Sequence, residues 1–300
     1  MTQEQKINLI NIVMAREKLR LLNRLARLIK DPFRSLPYYV LATLSHIKPF
    51  KISFKTLWGD TLIGFMPEVN TFYYYGYCEA NLTSFLLRFL SKDSIFIDIG
   101  AHVGFYSNLV SRLVGDSGKV YSFEPTPWTY KLLQVNTSNL KNVISINAGA
   151  ADSDGNMNFS DYGPGYGAYN SGSSAGTILR QKPKKISIPI VQLDKFFEQK
   201  AVRPDFIKID AEGTEYQILN GLEETLKTSR PLITLEMAGD ERWAKNCKMS
   251  SDILSMANYD SYEMTDDGFI KKCKITPPYT YTNFLFVPTE KTNTIKDLII

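Results

Sequence analysis

The stretch PDFIKIDAEGTEYQILNG, Pro204–Gly221, places three carboxylates, Asp210, Glu212 and Glu215, around Gly213 directly after a short apolar run. Desolvating a carboxylate at a buried strand end is costly or shifts its pKa, so these acids either cap the next helix or serve a ligand. Glu215 falls in the first turn of the following helical pattern, where negative charge favours the helix dipole. Glu212 is divided between that role and a site. Asp210 lies too early to be helped by Gly213 and is the first candidate for a general base or an acceptor-orienting acid. Glu212 is its partner, and Glu236, at the end of the run PLITLEMA, is the third candidate. Asp210 and Glu212 offer the oxygen ligands a hard cation takes, but the pattern is not diagnostic and no metal is assigned. Lys208, between Ile207 and Ile209, reads as a partner for one of the acids. Only His46 and His102 are present, which confines a histidine base to His102.

A second group of residues lies in DIGAHVG, Asp98–Gly104. Glycines between a strand and a helix let the backbone approach a ligand closely. A dinucleotide fingerprint needs G-x-G-x-x-G, whereas this loop has Gly100, Ala101, His102 and Gly104. A carboxylate at Asp98 opposes a pyrophosphate and suits a ligand with positive charge. S-Adenosylmethionine, with an ammonium, a sulfonium and no phosphate, is such a ligand. Glu124 stands 24 positions after Gly100 at the end of the next apolar run, where an acid accepts ribose hydroxyls. Ala151 and Asp152 follow the third run. Asp152 is read two ways, as a partner for an adenine amino group or as a turn residue before Ser153-Asp154-Gly155.

These residues need strand ends to hold them. From residue 93 apolar runs alternate with helical patterns: strands at 94–100, 119–125, 142–150, 205–210 and 231–238, helices at 105–115, 129–140, 215–228 and 250–259. YDSYEMTDDGF and NFLFVPTE close the chain as a strand pair. Alternation of this kind implies βαβ units, a largely parallel sheet and right-handed crossovers. Ligands on such sheets bind beyond the carboxyl ends of the strands, which gathers the candidate acids around one crevice. The Gly-, Ser- and Tyr-rich segment 155–188 reads either as a loop closing over an acceptor, with Tyr162, Tyr166 and Tyr169 stacking on a sugar face, or as an unstructured loop with a β-excursion at 184–194.

FIDIGAHVGFYS, SFEP, VQLD and FIKIDAEGTEYQILNG together resemble the FkbM family of S-adenosylmethionine-dependent methyltransferases. The lead-in YYYGYCEANLTSFLLRFL, with Gly76 and Glu79, is similar too, so the resemblance covers about residues 70–240. His102 departs from it, since the family more often has Asn there. The resemblance implies a Rossmann-like class I methyltransferase fold, a seven-stranded sheet with the last strand antiparallel, and S-adenosylmethionine as cofactor. It further implies O-methylation of a hydroxyl, typically of a sugar or natural product. Two alternatives stand beside this reading, an RNA methyltransferase and a non-catalytic S-adenosylmethionine-binding module. A nicotinamide dehydrogenase is disfavoured by the missing glycine and by Asp98.

The 300 residues are 44% apolar and 22% charged, with a formal net charge of +4. That is ample chain for a core, and the modest charge gives no reason to expect a nucleic-acid partner. Residues 1–70 read as a helical and hairpin extension, turning at Gly59-Asp60, and 71–300 as the methyltransferase domain. KINLINIVMAREKLRLLNRLARLIK has apolar residues at Ile10, Met14, Leu21, Leu25 and Leu28 among Lys and Arg, a basic amphipathic helix. It packs on the body, makes peripheral contact with a membrane or binds a partner. Cys78, Cys247 and Cys273 show no metal-ligand spacing, and no run approaches the roughly 18 apolar residues of a membrane span. A reduced, cytoplasmic protein is the expectation.

Overall fold

The computed structural model describes residues 1–167, 182–237, 241–277 and 282–300. Tyr169, one of the three expected stacking tyrosines, lies outside them. The chain opens with helices α1 (Gln3–Arg20), α2 (Arg24–Lys30) and α3 (Pro32–Ile47). An antiparallel hairpin follows, β1 (Phe50–Lys55) and β2 (Thr61–Met66), turning through Gly59 at φ 95°. The single basic helix expected over residues 6–30 is broken at 21–23, where Asn23 caps α2 by accepting from the Ala26 N–H. Its first half packs inward: Ile10 and Val13 are buried.

After α4 (Asn70–Tyr75) and α5 (Ala80–Phe89), the sheet begins with β3 (Ile95–Ile99), α6 (Phe105–Val114), β4 (Lys119–Phe123), α7 (Pro127–Thr137) and β5 (Val143–Ile146). The run expected as one strand over 142–150 divides there. Asn147 donates from Nδ2 to the carbonyls of Glu124 (2.8 Å) and Pro125 (3.1 Å), and the chain leaves the main sheet as β6 (Gly149–Ala151). β6 joins β7 (Gly155–Asp161) and β8 (Lys184–Gln192) in a small second sheet. Segment 155–188 is therefore not a free loop at its ends: β7 and β8 pair antiparallel from Gly155↔Ile190 to Asp161↔Lys184.

The chain continues through α8 (Leu193–Lys200), β9 (Phe206–Ile209), α9 (Glu215–Asn220), α10 (Glu223–Thr228) and β10 (Leu232–Met237). It closes with α11 (Glu241–Met256), β11 (Tyr259–Met264), β12 (Ile270–Lys272) and β13 (Thr282–Pro288). The helix expected over 215–228 is broken at Gly221, where any Cβ would overlap the carbonyl of Ala151. Asp194 then restarts it, accepting from the N–H groups of Glu224 (2.7 Å) and Thr225 (2.9 Å).

The main sheet runs β12-β11-β13-β10-β9-β3-β4-β5. Its central pairs are parallel and β13 is antiparallel to both neighbours. This is the expected seven-stranded order, with β12 added as an eighth strand at the edge. β9 is buried at every position, as a central parallel strand covered on both faces must be. One apolar cluster joins Leu9, Val13, Phe54 and Met66 of the N-terminal layer to Phe85, Phe96 and Phe206 of the sheet domain.

Candidate active site

The carboxyl ends of β3, β4, β9 and β10 open into a cavity of about 520 Å3. Gly100, Ala101, His102, Glu124, Asp210, Glu212 and Glu236 all line it. Asp98, Gly104, Ala151 and Asp152 do not. The structure places each of these four by a different physical cause.

Asp98 lies beneath the floor, fully buried, opposite Lys208 on β9 and Ser122 on β4. Its Oδ2 accepts from Ser107 Oγ (2.6 Å), which in turn accepts from Ser122 Oγ (2.8 Å). Its Oδ1 faces Lys208 Nζ at 3.8 Å. The cation that faces Asp98 in this structure is thus this lysine. Gly104 starts α6 at φ 87° and packs on Leu133. Ala151 is buried in β6, and Asp152 is exposed, its Oδ1 accepting from Ser153 Oγ at 3.1 Å.

Lys208 is 2% exposed and donates to Asp210 Oδ2 at 3.0 Å. Burial opposes its charge, but Asp210, Asp98 and Glu79 more than offset that, and its pKa is raised. Asp210 is thereby fixed at the strand end by a buried ammonium. Gly100, at φ 76°, crosses directly over it: a Cβ there would overlap the Asp210 carbonyl oxygen. That close approach explains the glycine requirement at the head of the loop.

The three acids of the opening motif part company in the fold. Glu215 is buried and outside the cavity, accepting from the N–H groups of Ala211 (3.2 Å) and Gly213 (3.1 Å) and from Asn246 Nδ2. It organises the loop instead of serving a ligand. Asp210 and Glu212 face the cavity, joined by Glu236 from β10, and one carboxylate oxygen from each of the three lies within 4.8 Å of the other two. Carboxylates gathered so closely raise the cost of ionising all three together. Glu212 sits in the left-handed region at φ 49°, a backbone strain of the kind that concentrates at functional sites. Burial, then Asp210 and Glu215, push its carboxyl up to about 8.

Glu124 is buried and accepts from the N–H groups of His102 (3.0 Å) and Thr126 (2.9 Å), one on each oxygen. A carboxylate so held retains acceptor capacity toward the cavity. Burial raises its pKa, partly countered by His102.

Sequence reasoning missed Glu68, whose position after the hairpin gives no local signal. Glu68 Oε1 meets His102 Nε2, at a residue held at φ 53°. Burial works against charge on His102, but Glu68, Glu124 and Asp210 prevail and raise its pKa to about 9. The pairing with Glu68 thus favours the protonated ring over a free base. Glu79 also lines the cavity, accepting from Tyr106 OH (2.8 Å) and Asn283 Nδ2. Its motif was visible in the sequence but its contacts were not.

Among the described residues, seven carboxyl groups line the cavity (Glu68, Glu79, Glu124, Asp210, Glu212, Glu236 and Asp266) against Arg20, Lys208 and His102. An acidic excess of this kind favours a ligand that carries positive charge.

Residues 98–265 match the methyltransferase FkbM domain. The chain belongs to the FkbM methyltransferase family. It is a methyltransferase, and its sheet order is that of the Rossmann-like methyltransferases. Among relatives, it is 25% identical over 185 residues to the hexuronic acid methyltransferase AglP of Haloferax volcanii, which covers 59% of this chain and 72% of that one. It is 24% identical over 150 residues to methyltransferase 1 of Beauveria bassiana, covering 44% and 59% respectively. A crystal structure of an FkbM methyltransferase from Methylobacillus flagellatus superposes with a TM-score of 0.44 at 16% identity, covering 73% of this chain and 52% of that one.

Proposed function

We propose that this FkbM methyltransferase uses S-adenosylmethionine to methylate a hydroxyl of a sugar or related natural product. The observation that carries the reading is the acid-lined cavity at the strand ends, roofed by the Gly100 loop and edged by Glu124. The residues fit the cofactor by charge: the net negative wall suits an ammonium and a sulfonium. Bound S-adenosylmethionine supplies a methyl group on a sulfonium leaving group. Glu124 would take the ribose hydroxyls, and the Gly100–His102 backbone would hold the cofactor beside them.

The chain's own work is to align and deprotonate the acceptor. Asp210, pinned by Lys208, orients the hydroxyl for in-line attack, which supplies much of the rate enhancement. Glu212 removes the proton as the new carbon–oxygen bond forms. A carboxyl raised to about 8 is better matched to that task near neutral pH than an ordinary one. Glu236 completes the acidic cluster around the acceptor oxygen. The acidic lining favours a neutral hydroxyl over a carboxylate acceptor. The relative named as a hexuronic acid methyltransferase supports a sugar as the acceptor class.

Calorimetry with S-adenosylmethionine and S-adenosylhomocysteine tests the reading on the wild type, Glu124→Ala and Asp152→Ala. Binding weakened about tenfold or more by the first substitution and unchanged by the second is expected. No binding by folded wild type sinks the cofactor assignment. Methyl transfer to hexuronates but not to neutral sugars would refute the hydroxyl preference.

A further inference from the structure

The N-terminal layer carries a feature that methyl transfer does not use. Of the large apolar side chains left exposed, eight cluster between Leu21 and Ile47. On α3 they are Phe33, Leu36, Val40, Leu44 and Ile47, between 49% and 94% exposed. At about 100° per residue these five positions fall within roughly 80° of arc, one continuous stripe. Leu25 and Ile29 form a second, shorter stripe at i and i+4 on α2, beginning beyond the bare Leu21. The opposite face of α3 packs on the body: Ser35 Oγ lies 2.6 Å from Tyr74 OH, and the rings of Tyr38 and Tyr74 are 4.7 Å apart.

Charge decides what this face meets. Residues 21–51 contain six Lys and Arg (Arg24, Arg27, Lys30, Arg34, Lys48 and Lys51) against the single acid Asp31. Their net charge of +5 exceeds the +4 of the entire chain, so the basic excess is confined to this layer. Arg24, Lys30, Lys48 and Lys51 are exposed, while Arg27 is engaged by Tyr75 OH at 3.1 Å. A second copy docking through the same face would set two such charges against each other. An anionic lipid surface instead satisfies both features, burying the stripe among acyl chains and attracting the flanking cations. Among the described residues no helix is long and apolar enough to cross a membrane, so the contact would lie in the plane of the interface.

We infer that α2 and α3 form a docking surface for an anionic membrane. The mode is peripheral, with Phe33, Val40 and Leu44 entering the acyl boundary and Lys30, Lys48 and Lys51 at the headgroups. α3 packs against α4, and Thr71 and Phe72 of α4 line the cavity. The docking layer and the cavity wall are thus consecutive layers of one body.

Flotation of the full chain with vesicles tests this, using phosphatidylcholine alone or with about a third phosphatidylglycerol. The wild type is expected to float with the anionic vesicles about tenfold or more better than with neutral ones. Phe33→Ser/Val40→Ser/Leu44→Ser is expected to lose about tenfold or more of that binding. Lys30→Glu/Lys48→Glu/Lys51→Glu changes only exposed side chains and is expected to lose the preference for anionic lipid while keeping its circular dichroism spectrum. Absent flotation of the wild type overturns the inference, as does flotation unchanged in either variant. A concentration-dependent dimer that the apolar variant abolishes, in place of flotation, would assign the face to self-association and overturn it equally.

Discussion

Replacing Lys208 with Met tests the electrostatic architecture beneath the cavity. The substitution keeps the buried volume and removes the one ammonium between Asp98 and Asp210. Removing one partner of a buried pair generally costs about 3–5 kcal/mol, because the other charge is left uncompensated. Asp210 keeps some access to solvent, its side chain 28% exposed, so its share is screened. Asp98 is fully buried and its Oδ1 has no hydrogen-bond donor, so most of the penalty falls there. The expected loss is about 3 kcal/mol, or roughly 6–12 °C in Tm. Its pH dependence has a defined sign. Burial holds Asp98 above the ordinary carboxylate range, Lys208 pulls it back down, and removal of the lysine raises it further. A raised carboxyl pKa penalises folding fully above the folded value and not at all below the unfolded value of about 4. The deficit therefore narrows as pH falls from about 8 toward 5. Urea midpoints and Tm at both pH values, with Asp98→Asn and the double variant, complete the cycle. The double variant should recover about 1.5 kcal/mol or more relative to additivity. A single variant within about 1 kcal/mol of wild type, or a deficit that ignores pH, would refute the reasoning.

Three further outcomes follow from the site. His102→Asn removes a histidine raised to about 9, whose contribution is complete below its unfolded pKa of about 6.5 and lost as pH rises through about 9. The stability difference from wild type should be on the order of 2 kcal/mol near pH 6 and vanish by about pH 10, read by urea denaturation. Glu212→Gln should lower turnover about a hundredfold and abolish a rise in wild-type turnover that levels off above about pH 8. An unchanged pH profile would remove Glu212 from the proton transfer. Gly100→Ala, set at φ 76° against the Asp210 carbonyl, should cost several kcal/mol and lose cofactor affinity together. Calorimetry on any folded fraction checks it.

The sequence alone determined the alternation of strands and helices, the family, and the strand ends that carry chemistry. Apolar runs bounded by glycine and proline encode local structure, and β3, β4, β9 and β10 stand where that pattern puts them. Positions set by a residue's own strand end or loop were legible too: Gly100, Glu124, Asp210 and Glu212 all line the cavity. Only the tertiary structure decided the roles that depend on a distant neighbour. Asp98 was readable as an acid at a strand end, but its register with Lys208 sets it beneath the cavity floor against a buried ammonium. Glu215 became a loop anchor because Ala211, Gly213 and Asn246 converge on it. At Gly221, where the helical pattern breaks, the Ala151 carbonyl of β6 lies where a Cβ would stand, a contact no helical pattern records. His102 became a fixed cation because Glu68, 34 residues earlier in the chain, folds back against it. Periodicity carries short-range information, whereas the protonation and purpose of a buried carboxylate are set by whichever side chain the fold brings within a few ångströms.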